Sequence, residues 1–74
     1  MQQLLRLPQV RERTGLSRST IYKLQESGDF PKSVALGPRS VAWVAREVDQ
    51  WIEDRIAKRD ADGIRHPVTL RGTR

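Results

Sequence analysis

The apolar residues of this chain fall in short groups whose spacing changes along its length, and the spacing predicts the elements. Leu5 and Leu7 alternate with Arg6, as in a brief extended lead that packs on a core. Val10 is the inward residue of a first helix over about Pro8–Thr14, flanked by Leu7 and Leu16, with Gln9, Arg11 and Glu12 facing water. Pro8 suits the first helical position, where a missing N–H has no partner to lose. Ile21 and Leu24 stand three apart and mark the buried face of a second helix over about Arg18–Glu26. Ser27-Gly28 ends that helix, Asp29-Phe30-Pro31 turns the chain, and Phe30 anchors the turn on the core.

The period then shortens. Val34-Ala35-Leu36 and Val41-Ala42-Trp43-Val44 are apolar and partly β-branched, and they flank Gly37-Pro38-Arg39-Ser40, so the segment predicts a hairpin. Val34 and Leu36 share one face, Val41 and Trp43 another. A third helix follows over about Ala45–Lys58, its apolar stripe made of Val48, Trp51, Ile52 and Ile56. Trp43 and Trp51 are assigned to the core by these positions. Glu47 and Asp49 lie early in this helix and Arg55, Lys58 and Arg59 late, as the helix dipole favours. From Asp60 to Arg74 the periodicity is lost, which divides the chain into a domain over 1–59 and a flexible basic tail over 60–74.

Composition narrows the chemistry. With 74 residues the chain supports one small domain and a thin core, with no room for a buried catalytic cleft. The net charge of +5 favours a polyanionic partner. Without cysteine there is no disulfide, thiolate zinc site or thiol nucleophile. The one histidine, His66, sits in the tail and cannot build a multi-histidine metal site. Neither cofactor, metal nor enzyme activity is expected. No apolar run is long enough to span a membrane, and the expectation is a soluble, cytoplasmic, nucleoid-associated protein.

The most informative stretch is Thr14-Gly15-Leu16-Ser17-Arg18-Ser19-Thr20-Ile21-Tyr22-Lys23-Leu24. Gly15 suits the left-handed residue that closes a helix, Leu16 plugs the corner, and Ser17 is a good N-cap. The second helix then opens with short donors and cations. A helix-turn-helix lays such residues against base edges in the major groove. Arg18 can bridge guanine O6 and N7, or hold a phosphate. Ser19 and Thr20 can read bases or bond phosphates, and Ser17 can also present an N–H to a phosphate. Tyr22 suits a ring in the corner with its hydroxyl on a phosphate, and Lys23 a backbone contact.

The order is helix, turn, helix, hairpin, helix. Together with the segments Arg6-Leu7-Pro8, Arg13–Tyr22, Gly28-Asp29-Phe30-Pro31, Leu36–Trp43 and Glu47–Ile52, it resembles the AlpA family of small prophage-encoded regulators. These are similar to phage excisionases and to the DNA-binding domains of MerR-type regulators. The resemblance covers about Leu5–Ile56. It implies a mainly α fold with a small β-hairpin, a winged helix-turn-helix of order α-α-β-β-α. The recognition helix, about 18–26, would enter the major groove, and the wing, about 34–44, would lie on the backbone or minor groove. Arg39 at the wing tip is then a candidate for a narrow minor groove, with Lys32 and Ser40 nearby. Asp29 departs by placing an acid near the expected DNA face. The chain has no MerR-type dimerisation helix or effector domain, so no small-molecule effector is expected.

The function implied is sequence-specific binding of double-stranded DNA by a transcriptional regulator of prophage or mobile-element genes. An excision factor that bends DNA and recruits an integrase is the alternative. So is a protein-interaction adaptor that meets an integrase or RNA polymerase through the third helix or the tail. Self-association or cooperative binding on DNA is expected because one module covers little duplex. Arg55, Lys58, Arg59, Arg65, Arg71 and Arg74 make either a loose basic arm or a solvated tail.

Overall fold

The computed structural model describes residues 2–62. His66 and the arginines at 65, 71 and 74, assigned above to the tail, lie outside the described residues. Along the chain come β1 (Leu4–Leu5), α1 (Leu7–Thr14), α2 (Arg18–Ser27), β2 (Val34–Gly37), β3 (Ser40–Val44) and α3 (Ala45–Asp62). The mainly helical fold with one hairpin agrees with the order read from the sequence.

Each helix of the pair α1–α2 is delimited by local chemistry. Arg6 is the N-cap of α1, so Leu7 takes the first helical position and Pro8 the second, one place later than expected. Gln9 fixes this start, its Oε1 accepting from the Arg6 backbone N–H at 2.8 Å. Proline is as harmless at the second position as at the first, because neither N–H has an intrahelical acceptor. Gly15 closes α1 at φ 75°, its N–H donating to the Arg11 carbonyl at 2.8 Å. Thr14 adds a stitch: its hydroxyl donates to the Val10 carbonyl at 2.8 Å and accepts from the Leu16 N–H at 3.2 Å. At the end of α2, Gly28 (φ 86°) and Asp29 donate to Gln25 and Leu24 carbonyls, the paired bonds of a Schellman motif.

The hairpin is part of a three-stranded antiparallel sheet of order β1-β3-β2. The lead segment supplies the extra strand: Leu4 pairs with Val44 and Leu5 with Trp43. The Ala45 N–H, where β3 becomes α3, donates to the Gln3 carbonyl at 2.8 Å. Central β3 is where the core forms. Trp43, Leu5, Val10, Ile21 and Val48 are fully buried, and Phe30 nearly so. Leu16, Leu24, Val41 and Ile52 pack around them. Val34 and Leu36 of the edge strand remain exposed.

Trp51, read as core, is half-buried. Its ring stands edge-on to Phe30 at 5.0 Å, and its Nε1–H donates to the Asp29 carbonyl at 2.6 Å. The apolar stripe of α3 fades toward its C-terminal end, where Ile56 is exposed. The helix continues through Asp60 to Asp62, past the end expected near Lys58, so Asp60 and Ala61 belong to the helix and not to a tail. Asp60 and Arg59 pair at 2.8 Å on this extension. No helix of the described residues is long and apolar enough to cross a membrane.

Candidate nucleic-acid interface

The site begins at the corner between α1 and α2. Ser17 has extended backbone angles and caps α2, its Oγ accepting from the Thr20 N–H at 3.2 Å. The same hydroxyl donates to Thr20 Oγ1 at 2.9 Å. Ser17 and Thr20 are thus engaged with each other, leaving the Thr20 hydroxyl hydrogen to donate outward. Arg18 and Ser19, in the first turn of α2, are exposed.

Arg18 is set over the Tyr22 ring, its guanidinium carbon 5.8 Å from the centroid. This distance is within the range of a cation–π contact. Tyr22 in turn meets Trp43, with ring centroids 6.1 Å apart and planes inclined by 59°. The Trp43 indole N–H donates to Gln25 Oε1 at 3.1 Å. A stack therefore rises from the buried centre of β3, through Tyr22, to a cation at the start of α2. Gln25 fixes its base, a role that no local pattern in the sequence signals.

Further along α2, a shallow groove separates the helix from the start of the hairpin. Ser19, Tyr22, Lys23, Lys32 and Ser33 line it, with Gln25 and Glu26. Four of the residues singled out from the sequence come together here, although Lys32 is distant in sequence from the other three. Ser33 is an addition, with no signal beyond its adjacency to Lys32. Asp29 is not in this groove. It lines a neighbouring one, beside Trp51 and α3, that shares Lys32 with the first, and its Oδ2 accepts from the Ser27 hydroxyl at 3.0 Å.

Arg39 is exposed at the hairpin end, in the two-residue turn Pro38-Arg39. Ser40, read as part of the connection, is the first residue of β3 and pairs with Gly37. Arg18, Lys23, Lys32 and Arg39 have no ion-pair partner among the described residues, whereas Arg13 of α1 is paired with Asp49 of α3 at 2.9 Å. The hairpin is braced against α1 by Arg6, whose Nε–H donates to the Val41 carbonyl at 3.0 Å.

Two helices joined by a three-residue corner, followed by a hairpin that packs on the second of them, define a winged helix-turn-helix. Residues 3–56 match the family described as "Prophage CP4-57 regulatory protein (AlpA)". The chain is similar to "Uncharacterized protein ORF88" of Enterobacteria phage P4, being 50% identical over 58 residues, or 78% of this chain and 66% of that protein. It is also similar to "DNA-binding transcriptional activator AlpA" of Escherichia coli (strain K12), 40% identical over 58 residues, or 70% of this chain and 83% of that protein. The chain belongs to the AlpA family of prophage regulatory proteins.

Proposed function

We propose that this chain binds double-stranded DNA sequence-specifically and regulates transcription of prophage or mobile-element genes. The observation that carries this reading is a set of cations, Arg18, Lys23, Lys32 and Arg39, without ion-pair partners among the described residues and spread over α2 and the hairpin. In the proposed complex α2 lies in the major groove and presents Arg18, Ser19 and Thr20 to base edges. Arg18 makes the bidentate guanine contact, pre-aligned by its stack on Tyr22. Ser17, Tyr22, Lys23 and Lys32 hold phosphates on either side, and the α2 N-terminus adds its own attraction for an anion. Arg39 and Ser40 bring the wing to the backbone or minor groove. The name of the K12 relative, a DNA-binding transcriptional activator, supports the same reading.

One module of this kind covers about 600–1,000 Å² of protein surface on DNA. The reading therefore includes pairing or cooperative binding at repeated half-sites. The test is a selection from random duplex DNA by the purified protein at physiological salt, read by sequencing. Enrichment of one motif, with a spacing that reports the arrangement of protomers, is the expected result. Binding that is tight at low salt alone, with no motif enriched, overturns specific readout.

A further inference from the structure

The end of the hairpin holds a feature that phosphate contact does not use. Ala35 pairs with Val41 and Gly37 pairs with Ser40, so β2 advances two residues while β3 advances one. Leu36 is the extra residue of this bulge. Its cause is local. Pro38 fixes a negative φ, and no non-glycine residue described has a positive one. The turn is therefore not one of the mirror-image types that follow the twist of the strands, and the bulge absorbs the misfit.

The consequence is an apolar side chain with no residue opposite it in the ladder. Leu36 is 49% exposed, more than any other large apolar residue described. Pro38 follows two residues on, Arg39 next, and the hairpin from Val34 to Val44 contains no acid. A protein-docking patch needs a contiguous apolar area of several hundred Å². Val34 of the same strand is also exposed, but two side chains fall short of that area. Leu36, the one nearer the narrow tip and next to a proline and a cation, has instead the composition of a side chain that parts two base pairs from the minor groove.

We infer that Leu36 is an apolar wedge which, with the wing seated on duplex DNA, enters a base step from the minor groove and kinks the duplex. The inference rests on the DNA-binding reading and adds bending to it. Arg39 fixes the depth of the wing by its hold on the backbone or groove floor, and the bulge aims Leu36 at the stack. The step it enters should be a flexible pyrimidine–purine step, where unstacking costs least. The wing would thereby contribute sequence preference without a hydrogen bond to a base.

The test uses the full chain and a short duplex carrying the enriched site, dye-labelled at both ends and with 2-aminopurine placed in turn at each step facing the wing. Anisotropy reports binding, energy transfer the bend, and 2-aminopurine fluorescence the unstacking. Wild type is expected to shorten the end-to-end distance, with a kink of about 20–90°, and to raise the fluorescence at one step. Leu36→Ala and Leu36→Ser, both at an exposed position and checked by thermal melts, should still bind while losing that rise and straightening the duplex. Leu36→Phe should keep both. Wild type that binds a straight duplex, or Leu36→Ala that bends it as wild type does, overturns the wedge and leaves DNA binding standing. Wild type that binds no duplex overturns the DNA-binding reading itself.

Discussion

Residues 17–44 and α3 treat charge in opposite ways. The first region, α2 and the hairpin, has four basic and two acidic residues; α3 has four basic and six acidic. Three of the six acids of α3 are engaged, Asp49 with Arg13, Asp60 with Arg59, and Asp54 with the Gln50 amide at 3.0 Å. In the first region none of the four cations has an ion-pair partner among the described residues, and cations outnumber acids. Exposed ion pairs contribute only about 0–1 kcal/mol each, so stability is not what the pairing on α3 serves. The excess of acids over bases leaves α3 itself weakly charged and slightly negative. As between these two regions, this balance favours the approach of a polyanion to α2 and the hairpin.

That contrast can be broken or sharpened by substitution. The largest effect is expected at Trp43, on which both regions rest. Trp43→Ala removes a fully buried ring that supports Tyr22 and Gln25, at a cost of about 3–5 kcal/mol. For a domain whose whole stability is about 5–15 kcal/mol, urea melts followed by circular dichroism should show early, cooperative unfolding. A loss below about 1 kcal/mol would mean that the two regions do not share a core.

Next in size is Arg18→Ala. Affinity for the selected duplex should fall toward that for a duplex changed at one guanine, a loss of about 1–3 kcal/mol of discrimination. If discrimination is unchanged while affinity drops for all sequences, Arg18 holds a phosphate. Arg39→Ala should weaken binding evenly across sequences and lower the slope of log affinity against log salt by about 1. An unchanged slope would place the wing off the duplex. Smallest is Arg13→Ala, which breaks the exposed pair with Asp49 for about 0–1 kcal/mol of stability. DNA affinity should be unaffected, and a clear loss would extend the interface to α1.

What could be read from the chain beforehand follows the range of the interactions. Gly15, Ser17 and Gly28 act within one or two turns, and their roles as helix stop, cap and stop were legible. So were Val10, Ile21, Phe30, Trp43 and Val48 as core, since apolar periodicity reports burial directly. The pairing of Leu4-Leu5 with β3 was not, because a two-residue strand has no period and its partner is far along the chain. The end of α3 was also missed. Asp60, Ala61 and Asp62 have no apolar period, and no glycine or proline stops the helix before 63. The candidate cations were visible as residue types, but their lack of partners is a property of the fold. The bulge at Leu36 depends on turn geometry, which the Gly37-Pro38-Arg39-Ser40 signal alone leaves open.

The place of β3 at the centre of the sheet also sets an order of events during synthesis. Leu4 and Leu5 leave the ribosome early, yet their partners Val44 and Trp43 come only after both helices of the pair and the turn that follows them. At about 5–20 residues per second the nascent chain spends seconds with Val10 and Ile21 uncovered. A chain cut short before Ser40 would hold the whole of α2 without the strand that carries Trp43, on which it is laid. The helix proposed to read DNA is made early and becomes rigid late, when the strand that carries Trp43 closes the sheet.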